Sequence, residues 1–240
     1  MDLSIVIPVF NEAASISPLV DEIAAVLGGQ ADYEIIVVDD GSTDATAERL
    51  GACRQQQPRL RVLQHPQRSG QSAAIASGVN AARAPWIVTL DGDGQNDPAD
   101  IPGLYTAATA VDAPATLWLI AGWRQRRRDS WLKRISSRIA NGVRRRLLRD
   151  HTPDSGCGLR LFRRDVFLAL PQFDHMHRFL PALVLRAGGQ VRSLAVNHRP
   201  RRSGTSKYGV HNRLWVGLVD LLGVRWLQRR VLRPVVSERE

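Results

Sequence analysis

The chain has 240 residues, 44% hydrophobic and 23% charged, which suits one large globular domain, alone or with an appendage, and excludes a disordered chain. Two cysteines, Cys53 and Cys157, exclude a disulfide framework and a metal finger and read as a reducing compartment. A formal charge of +10 asks for an anionic neighbour: nucleic acid, a membrane surface or a phosphorylated substrate.

The charge is unevenly spread. Residues 1–50 hold a single basic residue, Arg49, whereas arginines crowd into 122–149 and 199–213. In chain order, "LSIVIPV" (3–9) and "YEIIVVD" (33–39) are continuous Ile/Val runs, the signature of buried parallel strands. Between them Ile16, Leu19, Val20, Ile23, Val26 and Leu27 recur at helical spacing. A helix over 44–56, a strand at 60–64, a helix over 71–82, the strand "WIVTL" (86–90) and a strand near 117–121 follow. This alternation predicts an α/β fold, an open and mostly parallel sheet with helices on both faces. Ligands of such sheets bind beyond the carboxyl ends of the strands. That gathers "VFNE", "DDGSTD", "HPQRSGQS" and "DGDGQND" at one edge. No G-x-G-x-x-G follows the first strand, so a dinucleotide is not expected.

From residue 130 the pattern changes. Trp131, Ile135, Ile139, Val143 and Leu147 step by four along one apolar helix face whose other faces are basic. Segment 212–232 repeats that character, with Trp215, Leu218 and Leu222 on one face and Trp226 beyond. Such faces pack in a core, meet a second subunit, or lie on anionic lipid. No apolar run approaches the ~20 residues of a membrane span. "LWVGLVDLLGVRWL" is interrupted by Asp220 and Arg225. The start "MDLSIVIPVF" lacks the basic opening and cleavage site of a signal peptide.

The densest chemistry is "LDGDGQNDP" (90–98). Asp and Gly are ordinary turn residues, so a solvated loop is the plain reading. A calcium loop of the EF-hand type fails, because its sixth and twelfth positions would be Asn96 and Pro102. The functional reading is that Asp91 and Asp93 hold a divalent cation, which in turn holds phosphate oxygens. In "VVDDGSTD", Asp39 and Asp40 end the second strand, Gly41 permits a tight turn, and Ser42 or Thr43 is placed to cap the next helix. Asp40 there either accepts hydrogen bonds from a nucleoside or caps the turn.

In order, "SIVIPVFNE", "VVDDGSTD", "RSGQSAAIASG", "LDGDGQNDP", "AGWRQRRRDSWLKRISSRIAN", "DSGCGLRLFRRD" and "HRPRRSGTSKYG" resemble the family-two inverting glycosyltransferases. The closer likeness is to the polyprenyl-phosphate hexose synthases of the dolichyl-phosphate mannosyltransferase type, over roughly residues 3–210. "VVDDGSTD" marks only the broad family; "DGDGQNDP" with "SGTSKYG" points to the lipid-phosphate branch. The resemblance implies a glycosyltransferase A-type nucleotide-binding fold with C-terminal amphipathic helices. It implies a catalytic domain over 1–210, with a nucleotide-sugar and metal half (1–122) and an acceptor half (123–210), then an amphipathic tail over 211–240.

Carried onto this sequence, the donor pocket falls on Pro8, Phe10, Glu12, Val38 and Asp40, with Asp91, Gly92 and Asp93. The metal site, for Mg2+ or Mn2+, falls on Asp91, Asp93 and Gln95; the acceptor phosphate falls on Arg124, Arg138, Arg201, Ser206 and Lys207. Asp93, Arg124 and Asp154 are the catalytic expectations, with Asp154 orienting sugar hydroxyls, positioning a basic residue or capping its loop. Phe10 stands where the family usually has tyrosine, which keeps stacking and removes a hydroxyl. Many bacterial relatives continue into transmembrane helices and this sequence does not, so the expectation is peripheral attachment to the cytoplasmic membrane face.

The implied partners are a nucleotide-diphosphate sugar, a polyprenyl phosphate and an anionic membrane surface, with a homodimer or a membrane partner subunit as further options. A lipid phosphate is largely ionised at neutral pH, so transfer demands no strong general base. The alternatives are a family-two enzyme with a soluble or polysaccharide acceptor and, more remotely, a basic nucleic-acid binder. No nucleic-acid motif is present, and carboxylate-lined strand ends repel a polyanion. A nucleotidyltransferase would want a Gly-rich basic loop where "VFNE" stands.

Overall fold

The computed structural model describes residues 1–124, 142–200 and 210–231. The Ile/Val runs form strands β1 (Leu3–Val9), β2 (Tyr33–Asp39), β3 (Leu60–Gln64) and β4 (Trp86–Thr89), separated by α1 (Ile16–Leu27), α2 (Thr46–Gln56) and α3 (Gln71–Ala81). A 3-10 turn at Pro98–Asp100, α4 (Ile101–Thr109) and β5 (Leu117–Arg124) follow. Beyond lie helical residues 142–148 (α5), β6 (Arg160–Arg163), α6 (Arg164–Ala169), a 3-10 turn at Met176–Arg178, α7 (Leu180–Ala187), β7 (Gln190–Val196) and α8 (Val210–Arg229).

The strands make one seven-stranded sheet in the order β3-β2-β1-β4-β6-β5-β7. β1 sits inside it, parallel to β2 and to β4. β6 runs antiparallel to both of its neighbours, and β7 is parallel to β5. The fold is thus the open, mostly parallel sheet that the alternation of elements predicts. β6 and β7 escape a reading by pattern. "RLFR" is too short to show a period and too charged to look buried, and β7 is a half-exposed edge strand.

Side chains alternate across the sheet and build a core on each face. Leu3, Ile5, Ile7 and Val9 of β1 pack with Leu19 and Ile23 of α1 and Leu104 of α4. Val6, Ile36 and Val38 face the other way, onto α3, Phe167 of α6 and Leu183 of α7. Each such fully buried aliphatic side chain contributes roughly 1.5–3 kcal/mol of transfer free energy. α3 approaches closely because residue 78 is glycine; a Cβ there would overlap Val6.

The structure shows which way the described parts of the later helices turn. In α5 Arg144 and Leu148 are buried and Leu147 packs partly against the core, while Val143 is 47% exposed. Arg144 is drawn in by Asp150, 3.3 Å away, and by the carbonyl of Thr152. On α8, Leu221 and Val224 pack into the core, while Leu218, Val219, Leu222 and Trp226 are exposed. Among the described residues no helix is long and apolar enough to cross a membrane. Trp131, Ile135, Arg138, Ile139, Arg201, Ser206 and Lys207 lie outside the described residues, as does the side chain of Trp215.

At the sheet edge opposite the ligand-binding loops, buried Glu34 ties four segments together. It accepts hydrogen bonds from Ser4 Oγ of β1 (2.7 Å), Arg61 Nη1 of β3 (2.6 Å) and the backbone N of Arg83 before β4 (2.7 Å). Burial alone would raise its pKa, but the bonds from Arg61, Ser4 and Arg83 outweigh burial and hold it below the usual glutamate value. A depressed folded-state pKa adds stability above the unfolded value of about 4.3, and that stability is lost as pH falls through the folded value. Glu34→Gln should therefore lower unfolding stability by about 1–3 kcal/mol at pH 7 and by less at pH 3–4. Urea titrations at the two pH values measure this; an equal loss at both would contradict it.

Candidate active site

The loops after β1 and β2 are locked to each other. Asn11 takes a left-handed conformation (φ 55°), in which its Oδ1 accepts from the backbone N of Thr43 (2.8 Å) and its backbone N donates to Ser42 Oγ (2.9 Å). Ser42 and Thr43 are therefore spent on the neighbouring loop rather than on capping α2. Asp44 takes that place, accepting from the backbone N of Thr46 at 3.0 Å. Gly41 has φ 73°, and a Cβ there would press on the backbone of Gln67 and Arg68. Asp40 is buried and organises the loop between β3 and α3. Its carboxylate accepts from the backbone N of Ser69 and Gly70, both at 2.8 Å, and meets His65 Nδ1 at 2.8 Å. Arg68, on that loop, lays its guanidinium over the Phe10 ring at 4.4 Å.

The acidic loop after β4 divides its three carboxylates. Asp97 is structural: it accepts from Ala99 N (3.0 Å) and pairs with Arg199 (2.5 Å), which also reaches Glu22 (2.6 Å). Arg199 N donates to Gln95 O (3.0 Å), so the segment after β7 straps the loop down. Asn96 Oδ1 accepts from Asp91 N (3.0 Å), and Asp93 Oδ1 accepts from Gln95 N (3.0 Å). Asp91 and Asp93 are left beside each other at the strand end. Burial, and then repulsion from Asp93, push the Asp91 carboxyl up to about 6 against the pull of Arg160, Arg124 and a 2.9 Å hydrogen bond from Gln71.

The opposite wall is cationic. Arg124, at the end of β5, is gripped in a bidentate pair by Asp154 through Nε (2.7 Å) and Nη2 (2.9 Å). Burial works against its charge, and Asp154 more than restores it, so its pKa lies above the usual arginine value. Arg160, at the start of β6, is buried and donates to the carbonyls of Ser155 (2.6 Å) and His177. Glycine at 158 leaves room for the Asp91 carboxylate, which a Cβ there would overlap unless it moved. Thr89 Oγ1 holds its carbonyl at 2.9 Å.

These walls enclose a cleft of about 330 Å³. Of the residues expected from sequence, Pro8, Phe10, Glu12, Asp40, Asp91, Gly92 and Asp93 line it. Val38 is fully buried in the core beneath it, against α3. Gln95 works through its backbone in the strapped loop, and the Arg124–Asp154 pair stands behind Gly156. Arg68, Gln71, Arg160 and His177 also line the cleft and were not foreseen. Gln71 and Arg68 sit in the quoted "HPQRSGQS" loop, so a signal existed for them. Arg160 and His177 belong to elements with no period to read.

Residues 4–170 match the family model "Glycosyl transferase family 2". The chain belongs to glycosyl transferase family 2. This family 2 chain is 37% identical over 242 residues to dodecaprenyl-phosphate galacturonate synthase of Rhizobium johnstonii, covering 98% of this chain and 69% of that protein. It is 38% identical over 212 residues to undecaprenyl-phosphate 4-deoxy-4-formamido-L-arabinose transferase of Edwardsiella ictaluri, covering 87% and 63%. The chain thus spans about two thirds of the length of these relatives, both polyprenyl-phosphate sugar transferases by name, as the motifs imply. In fold it is similar to glucosyl-3-phosphoglycerate synthase from Mycobacterium tuberculosis, solved with Mn2+, UDP-glucose and phosphoglyceric acid. The TM-score is 0.72 at 20% identity, covering 93% of this chain and 79% of that one. The glycosyltransferase A-type expectation holds.

The packing of Gly158 against Asp91 makes a sharp prediction. Gly158→Ala should displace that carboxylate and lower sugar transfer by about 10- to 100-fold, with thermal unfolding nearly unchanged. Steady-state assays beside a melting curve test it; wild-type turnover would show that Asp91 is not held in place by this contact.

Proposed function

We propose that this glycosyltransferase moves a sugar from a nucleoside-diphosphate sugar to a polyprenyl phosphate at the cytoplasmic membrane face, inverting the anomeric carbon, with Mg2+ or Mn2+ on the donor. The observation that carries this reading is the facing of Asp91 and Asp93 against Arg160 across one cleft, with Arg124 behind Gly156 close enough to act on Asp91. The relatives' names supply the acceptor class.

The residues suit a divalent cation. Among the described residues no group of three metal-type side chains gathers, which fits an ion held by two carboxylates and completed by substrate oxygens. Two apposed carboxylates, one driven upward by burial and its neighbour, gain from a cation between them. When bound, it would stabilise the charge that develops on the leaving diphosphate. Phe10 and Arg68 offer a flat apolar and cationic seat for the nucleoside, with Pro8, Glu12 and Asp40 around it and Gly92 giving backbone room. Arg124 spends Nε and Nη2 on Asp154, which fixes its charge behind Gly156 and leaves Nη1 to meet a phosphate oxygen. Asp154 thereby takes the positioning role among those its motif allows. By motif, Arg138, Arg201, Ser206 and Lys207 join Arg124 on the acceptor phosphate. A phosphate oxygen already carries charge at neutral pH and attacks the anomeric carbon in line, so the cations' task is to hold two anionic reactants together.

Peripheral attachment follows from the outer face of α8. Leu218, Val219, Leu222 and Trp226 are exposed, with Arg229 and Arg230 beside them and Arg230 lying over the Trp226 ring at 5.5 Å. An apolar face rimmed by arginine suits an anionic bilayer surface, each cation adding about 1 kcal/mol near it.

Two measurements test the reading. Incubation with radiolabelled nucleotide sugars, polyprenyl phosphate and Mg2+ or Mn2+ should move label into organic solvent. Excess chelator or Asp93→Asn should abolish most of that transfer without unfolding the protein, and full turnover in chelator would sink the metal assignment. In flotation, the protein should rise with anionic liposomes at low salt, and Leu222→Asp with Trp226→Asp should leave it at the bottom. Equal recovery with neutral and anionic vesicles would refute the cationic contribution.

A further inference from the structure

His177 has no part in the scheme above, yet it lines the cleft and is held more firmly than a wall residue needs to be. Its Nδ1 meets Ser72 Oγ at 2.7 Å, its backbone N donates to the same oxygen at 3.4 Å, and its carbonyl accepts from Arg160. These contacts allow the tautomer in which Ser72 Oγ accepts the backbone N–H, gives its own hydrogen to Nδ1 and leaves the ring proton on Nε2. Among the described residues no protein group takes Nε2. Burial first, then the guanidiniums of Arg160 and Arg178, hold the imidazole well below its usual pKa, so the ring is neutral at working pH.

The order of strands says what this N–H faces. Across the sheet edge run the ends of β2 with Asp40, β1 with Phe10, β4 with Asp91, then β6 with Arg160. The nucleoside seat is at the β2–β1 side and the diphosphate at β4. His177 is tied to Arg160 on β6 and, through Ser72, to the helix turn whose Gln71 touches Asp91. It therefore stands past the diphosphate, where the transferred sugar must lie.

We propose that His177, presented as a neutral Nε2–H donor by Ser72, is the residue that reads an oxygen substituent of the donor sugar and so sets donor selectivity. This rests on the nucleotide-sugar reading of the cleft. A charged donor here would bind any phosphate; a neutral one discriminates by position, as a fixed N–H rewards an oxygen placed opposite and leaves an unpaired group when that oxygen is missing.

The experiment is equilibrium binding to the full chain with Mn2+, using UDP and GDP alone and UDP-glucose, UDP-galacturonate and GDP-mannose. Wild type should hold one sugar nucleotide more tightly than its free diphosphate. His177→Ala should weaken that preferred sugar nucleotide about 5- to 30-fold and leave the free diphosphate unchanged. His177→Gln, whose amide N–H reaches the place of Nε2, should recover most of the loss, and Ser72→Ala should show a partial loss of the same selectivity. Melting curves accompany each variant, and Ser72→Ala carries the test should His177→Ala unfold. Equal weakening of diphosphate and sugar nucleotide, or unchanged selectivity in both variants, overturns the assignment. Failure of wild type to bind any of these nucleotides overturns the donor reading itself, and this inference with it.

Discussion

Two carboxylates at the end of a buried strand repel each other, and most of the site is arranged around that repulsion. Asp91 follows β4, whose last three residues are buried, and stands half-buried in the cleft wall. Gln71 donates to it from the first turn of α3, Arg160 and Arg124 stand across from it, and Gly158 leaves the space its oxygens occupy. These provisions are incomplete, as the upward displacement of its pKa to about 6 shows. Carboxylates on one wall and guanidiniums on the other are the arrangement that the proposed cation and diphosphate would complete. The whole-chain charge of +10 then has a local meaning. The excess lies after residue 122, in the part of the sequence that also holds Arg124 and Arg160.

The reversal of β6 is what brings that half into place. In a wholly parallel sheet only the ends of strands reach the ligand edge, and their beginnings lie at the far side. β6 runs antiparallel between β4 and β5, so the residues that lead into it, Asp154 to Gly158, arrive at the edge where β4 and β5 finish. Arg124 at the end of β5 and Asp154 before β6 can therefore form a 2.7 Å pair although 30 residues separate them. Arg160 joins the loop of Ser155 to the turn at His177, giving the far wall one buried post instead of two independent loops.

How much of this was legible before any coordinates depends on the physical signal at each residue. β1, β2 and β4 are Ile/Val runs bounded by turn residues, and the sheet's direction follows from their alternation with helices. The loops after them hold Asp40, Asp91 and Asp93, so the acidic wall was readable down to its members. The basic wall was readable only at Arg124 and Asp154. Arg160 looks in sequence like any of the arginines around it, and only the ladder of β6 against β4 shows that it is buried. His177 carries no spacing signal, because its partner Ser72 is 105 residues away. Asp97 and Asp91 share one loop and one residue type, yet the first is a strap for Arg199 and the second a site residue. Val143 and Leu147 keep a helical step of four, yet Val143 is exposed while Arg144, paired with Asp150, is buried beside Leu148. Periodicity reports apolar burial and cannot report a buried charge that is paired.

The last coupling in the molecule joins the cleft to its outer helix. The turn at Met176–Arg178 is entered through His175 in a left-handed conformation (φ 62°), which points the chain back across the sheet edge. His175 Nδ1 meets Asp220 Oδ2 of α8 at 3.1 Å, and Arg186 of α7 donates to Leu227 O at 2.8 Å and Arg230 O at 3.1 Å near the end of the same helix. Leu221 and Val224, between these two anchors, fill the core beneath. α8 is thus held at its middle, near its C-terminal end and along the inner side between them. Its exposed face, with Leu218, Leu222 and Trp226, has a set orientation relative to the cleft wall two residues beyond His175. An apolar helix face on a loose tether would say little about how the cleft meets a lipid-borne acceptor. A face bolted to the cleft by the His175–Asp220 contact, two carbonyl contacts and buried side chains makes the orientation of one the orientation of the other.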